Sequence, residues 1–177
     1  MRILTALLFA ALLAGGGVRA HAQGWAATGI PNDPDAVFHA LNRLAYGARP
    51  GQVEEVQRTG LAAWIEAQLD PASLPDSGLA SQLPPLPERP SSITNQQEAR
   101  RFGRQSVQVL AAQKVARAIH SERQLEEALV DFWFNHFNVF AGKGRTSIYL
   151  VDYEREAIRP HIWGSFRDLL GATAKSP

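Results

Sequence analysis

Five polar side chains toward the end of the sequence could do chemistry together: Asp131, Asn135 and His136 within the run DFWFNH, then Glu154 and His161. Two imidazoles and a carboxylate are a donor set for zinc or iron, which makes His136, Glu154 and His161 the candidate metal ligands, with Asp131 or Asn135 to orient them. A metal-assisted hydrolase or oxidoreductase is the reaction class such a set would serve. The spacing, however, is no metal signature: this is not an H-E-x-x-H helix, and the five can meet only through tertiary packing. The same residues also suit a buried histidine hydrogen-bonded to a carboxylate, fixing how two helices cross, and buried polar groups are ordinarily paired for such structural reasons. The expectation is therefore a structural pair, with a bound divalent cation as the rival reading.

Other chemistries are weaker still. The chain has no cysteine, so thiol chemistry is excluded and packing without disulfides must hold the fold. Ser121 reads as a helix cap, Ser147 as a helix start, and Ser165 follows Gly164 without a G-x-S-x-G elbow. Gly142-x-Gly144 is too short for a phosphate loop and suits a tight reversal between helices. Trp64 and Trp133 fall on core faces at helical spacing rather than forming a sugar-stacking platform. No complete catalytic or cofactor motif is present.

The element that must position the polar cluster is the aromatic stretch Leu125 to Phe140. Leu125, Leu129, Phe132 and His136 recur at spacings of four, three and four, placing the histidine on the apolar face of a helix, with Asp131, Asn135 and Asn138 on the adjacent stripe. Ser121-Glu122-Arg123-Gln124 reads as a capping box, which starts this helix just after His120. After the break at Ala141 to Gly144, Ser147 to Arg159 forms another helix with Ile148, Val151 and Ile158 on one side and Glu154 among them. Pro160 stops or kinks it, and Gly164 to Ala174 gives a last amphipathic helix.

Upstream, Asp33-Pro34 opens a helix with Val37, Phe38, Leu41, Leu44 and Ala45 along one stripe, and Gly47 caps its end. Two short helices follow, separated at Gly60 and ended by Asp70-Pro71. Six of the eleven prolines lie between Pro71 and Pro90, the signature of a loop or linker. From about Ile93 to Ile119 a long helix presents Val107, Leu110, Ala111, Val115, Ala118 and Ile119 on one face, with Arg100, Arg101, Arg104, Lys114 and Arg117 read as its solvated side. No strand-like alternation is evident. The fold class is an all-α, multi-helix bundle: residues 23–70 a small helical unit, 71–92 the Pro-rich connection, 93–177 the main helices.

Residues 1–22 read as a signal peptide: Arg2, the apolar run Ile3 to Leu13, and the cleavage motif Ala20-His21-Ala22. The run is too short to span a bilayer, and no later segment qualifies. Cleavage removes two of the 18 basic residues and none of the 17 acidic ones, so the mature chain carries one net negative charge and no global field for nucleic acid. The destination is the periplasm or the exterior.

Three segments, ALNRLAYGARPGQVEEV, SERQLEEALVDFWFNHFNVF and DYEREAIRPHIWGSFRDLLGATAKSP, resemble domain-of-unknown-function family number 1800, from about Asp35 to the end. The resemblance implies a mainly helical, exported bacterial protein whose activity is not established. It also implies an N-terminal fragment of a chain of several hundred residues, with the apolar faces of the last two helices made to meet absent elements. The function expected is an interaction or scaffold module, acting with a protein partner or with the rest of a longer chain.

Overall fold

The computed structural model describes residues 29–176; the proposed signal peptide, residues 1–22, lies outside them. α1 (Pro34–Leu44) begins as its sequence dictates. Asp33 accepts the amide of Ala36 at 2.9 Å, and Pro34 stands where a missing N–H breaks no helical bond. Val37, Ala40 and Leu41 form its buried stripe. Gly60, at φ +95°, turns α2 (Gln52–Thr59) directly into α3 (Leu61–Leu69). That glycine has no side chain to cap α3, and Asn32 supplies the acceptor instead, taking the Leu61 amide at 2.8 Å while donating to the Gln57 carbonyl at 2.8 Å.

The Pro-rich stretch is a loop with two 3-10 turns, Pro71–Ser73 and Leu79–Gln82. Prolines break its internal hydrogen bonding, and side chains from the main helices take up the carbonyls left over. Arg123 donates to Leu74 O at 3.1 Å and Gln113 to Pro84 O at 2.6 Å, while Arg89 reaches Asp152 at 3.0 Å. From Pro31 onward the described chain is one compact unit.

α4 (Gln96–His120) is capped by Asn95, which accepts the Glu98 amide at 2.8 Å. Its buried seam corrects the expected one: Ala99, Gly103, Ser106, Leu110 and Gln113 face inward, at spacings of four, three, four and three. Val115 and Ile119 are instead 60% and 55% exposed. The reason is close approach. A Cβ at Gly103 would lie 2.9 Å from the Cβ of Ser147, so small residues let the 3-10 turn Thr146–Ile148 sit almost against the α4 backbone.

α5 (Gln124–His136) returns antiparallel to α4, and its start differs from the expected capping box. Ser121 Oγ accepts from the Arg123 amide, and Gln124 bonds the Ser121 carbonyl at 2.6 Å, so neither reciprocal capping bond forms. The cap is tertiary. Gln68 of α3, buried, accepts the Leu125 amide at 3.0 Å and donates to Glu122 O at 2.9 Å, while Asp76 takes the Ser121 hydroxyl and the Glu122 amide. Asn138, two residues past the end of α5 at φ +41°, turns the chain in the left-handed conformation that asparagine tolerates.

Beyond it the chain runs through α6 (Leu150–Asp152), a π-helical turn (Tyr153–Ile158), a 3-10 turn (Arg159–His161) and α7 (Phe166–Lys175), the last capped by Ser165. Val130, Tyr153, Ala157, Ile158, Ile162 and Leu169 form one core cluster here; Leu110, Leu150 and Val151 form another. No strand occurs among the described residues, and no described helix is long and apolar enough to cross a membrane.

Candidate functional site

The buried charges of the molecule converge between α4, α5 and the π-helical turn. Glu127 and Glu154, each 5% exposed, are held by Arg159. Its guanidinium gives Glu127 a two-pronged bond, Nη1 to Oε1 at 3.0 Å and Nη2 to Oε2 at 2.7 Å, and reaches Glu154 Oε1 from Nη2 at 3.0 Å and Nε at 3.2 Å. Arg117 adds a second donor to Glu127 at 3.2 Å. Lys114 pairs with Asp131 at 3.1 Å and faces Glu154 Oε2 at 3.7 Å, its ammonium 3.7 Å from the Phe134 ring centroid. Three cations thus meet three carboxylates, and the low-dielectric setting is neutral overall.

Local geometry explains how residues five apart can do this. An α-helix turns about 100° per residue, which would leave Glu154 and Arg159 on divergent faces. The π-helical turn widens the coil: the Arg159 amide bonds the Glu154 carbonyl, and the two side chains then meet on one side, where Arg159 also reaches Glu127. Pro160, with no N–H to offer, cannot continue an α-helical ladder at that point.

Tyr46, from the turn after α1, donates its hydroxyl to the Glu127 carbonyl at 3.0 Å and closes the cluster from another side. Burial pushes its phenol well above the ordinary tyrosine range, and the negative charges of Asp131 and Glu127 push it further. For Arg159, burial works against the charged form, but the bond to Glu127 and the charges of Glu127 and Glu154 outweigh it, so its pKa is raised.

The five sequence candidates are divided by this arrangement. Glu154 is buried, as its position between Val151 and Ile158 indicated, and lies with Asp131 around Lys114. Asn135 donates back to the Asp131 carbonyl at 2.8 Å, a contact within α5. His161 Nδ1 is 3.0 Å from the Ala157 carbonyl, which accepts from it. His136 corrects the expectation of a buried face: it is exposed and stacks on Phe132 at 5.8 Å, because α5 turns Gln124, Glu127 and Val130 inward instead. Among the described residues no group of three or more His, Asp or Glu is placed to hold a metal ion. Lys114 and Arg117, read as solvated, are half-buried members of the cluster.

Sequence reasoning passed over Glu127, Lys114, Arg117 and Arg159. A signal was present for three of them: about the turn at Glu122, Arg117 and Glu127 are equidistant, and Lys114 and Asp131 nearly so, which is the pattern of opposite charges facing across an antiparallel helix pair. Chemically, guanidinium groups engage both Glu127 oxygens and Glu154 Oε1, while the buried Glu154 Oε2 has no hydrogen-bond partner, Lys114 being 3.7 Å away. The arrangement locks helices together.

A second feature lies on the surface. Phe132 and Phe166 are each 55% exposed, and with His136 they flank Trp133, whose ring is 5.0 Å from Phe132, 5.4 Å from His136 and 5.8 Å from Phe166. Leu170, one turn along α7 from Phe166, is also exposed. The result is an aromatic face spanning α5 and α7.

The sequence profile of the family described as "Protein of unknown function (DUF1800)" matches residues 39–177. No curated protein and no solved structure matches the chain.

Proposed function

Since the chain belongs to the DUF1800 family, whose function is unknown, we propose that the protein is an exported helical interaction module that binds a protein partner through its α5–α7 aromatic face. The observation that carries the reading is the exposure of Phe132, His136, Phe166 and Leu170 around Trp133. Water-exposed aromatic residues in one contiguous patch are the anatomy of a protein-binding surface. Histidine and tryptophan add polar edges by which a partner would be oriented.

Export is supported by Arg2, the apolar run Ile3 to Leu13 and the Ala20-His21-Ala22 motif. It places the partner in the periplasm or outside the cell. The test is a photo-reactive amino acid at position 132 or 166, with position 43 on α1 as control, irradiated in exporting bacterial cells. The same protein adduct should recur from 132 and 166 and be absent from 43. No adduct at either aromatic position, or equal adducts at all three, would overturn the reading. Intact-mass measurement should give a chain starting at Gln23, and retention of Met1 would refute export with cleavage.

A further inference from the structure

Away from both features, a cleft of about 590 Å³ opens between the first turns of α4 and the Ala141–Ser147 loop. Three arginines line it, Arg100 and Arg104 one turn apart on α4 and Arg145 from the loop opposite. No acidic side chain lines it. Glu98, on the same first turn of α4, is engaged elsewhere, its carboxylate accepting from the amide and hydroxyl of Thr94 at 3.1 Å each. Among the described residues none of the three arginines has a carboxylate partner, whereas Arg89, Arg117, Arg155 and Arg159 all do.

We propose that this cleft is a binding site for a small, multiply charged oxyanion: a phosphate or sulfate ester, or a polycarboxylate. Three exposed arginines lining one concavity without counter-charge give it a positive potential, and an anion bound there is attracted by it. Guanidinium forks match the planar or tetrahedral oxygens of such groups bidentately, which a lysine cluster would not. The volume lies within the range of small-ligand sites, about 300–1,000 Å³. The walls are also held in place, since Ser147, which lines the cleft, packs closely against Gly103, the neighbour of Arg104 in the chain. A preset site loses less on binding than one that must be ordered.

The test is calorimetric titration of the purified protein with inorganic pyrophosphate, sulfate and citrate at low chloride, the three probes distinguishing phosphate, sulfate and carboxylate sources. At least one should bind at one site per chain. Arg104→Ala and Arg145→Ala should each weaken it by about tenfold or more, while Arg101→Ala, an arginine of the same helix and equally exposed but outside the cleft, should leave it unchanged. Thermal melts should show all three variants folded. Absence of heat with every probe would overturn the proposal, as would an equal loss in Arg101→Ala, which would indicate only a diffuse positive field.

Discussion

Replacing Arg159 by methionine should destabilise the protein more than any surface substitution. The side chain is four-fifths buried and provides two of the three bonds to Glu127 and two to Glu154. Its removal leaves Glu127 with Arg117 alone, and Glu154 with Lys114 at 3.7 Å, too long for a hydrogen bond. Removing one partner of a buried pair costs about 3–5 kcal/mol, because the other charge stays buried without compensation. For a domain of this size that is a fall in Tm of roughly 6–20 °C. Glu127→Gln leaves Arg117 without a carboxylate and Arg159 with Glu154 alone, and should also destabilise, though less. The two losses should not add fully: the Arg159–Glu127 bonds are lost once in the double variant but counted in both singles, so it should be more stable than their sum by about 1–3 kcal/mol, although Glu154 and Arg117 stay short of partners. Urea denaturation followed by far-ultraviolet circular dichroism gives all four corners of this cycle. Singles within about 0.5 kcal/mol of wild type, the range of ordinary surface changes, or a coupling near zero, would refute the idea that these charges hold the helices together.

Other outcomes follow from the same contacts. Gly103→Ala should destabilise by about 1–3 kcal/mol through overpacking against Ser147, and Ser147→Gly should restore much of the loss, both measured by thermal melts. Gln68→Leu should cost about 1–3 kcal/mol by leaving the Leu125 amide unsatisfied in the interior, seen as faster hydrogen exchange at the start of α5. Tyr46 sets a limit at high pH. Its phenol is raised in the folded state, so the stability it confers is complete below the unfolded value of about 10 and is lost as pH rises through the folded value. Burial raises the Tyr153 phenol too, so in wild type a late phenolate absorbance step from Tyr46 and Tyr153 should coincide with alkaline unfolding, and its amplitude should fall by about half in Tyr46→Phe.

Legibility in the sequence varied with how local the cause was. The Asp33-Pro34 start and the Gly60 break between α2 and α3 rest on backbone chemistry within a few residues, and both were readable. Glu154 stood out as a polar residue between Val151 and Ile158, and it is buried. Its partner was not readable, because only a π-helical turn brings a residue five positions on to the same side. α4 misled for a related reason. Its inner seam is selected for smallness, Ala99, Gly103 and Ser106, so hydrophobicity pointed to Val115 and Ile119, which face water. Once that face was misassigned, Lys114 and Arg117 fell on the apparent wet side. His136 failed because the inward face of α5 carries Gln124 and Glu127, polar residues satisfied by the Ser121 carbonyl and by Arg117 and Arg159, and no periodicity of apolar residues marks such a face.

The division of labour between a charged interior that holds the fold and an aromatic face that binds is tested most directly by the adduct yield of Phe166→Glu, with the photo-reactive residue at position 132. Phe166 is the first residue of α7 and half exposed, and an acidic side chain in a helix's first turn is favourable, so the variant should fold with a melting temperature close to wild type. At equal concentrations of folded protein, the expected result is loss of most of the partner adduct. An adduct yield equal to wild type would contradict the aromatic face as the binding surface.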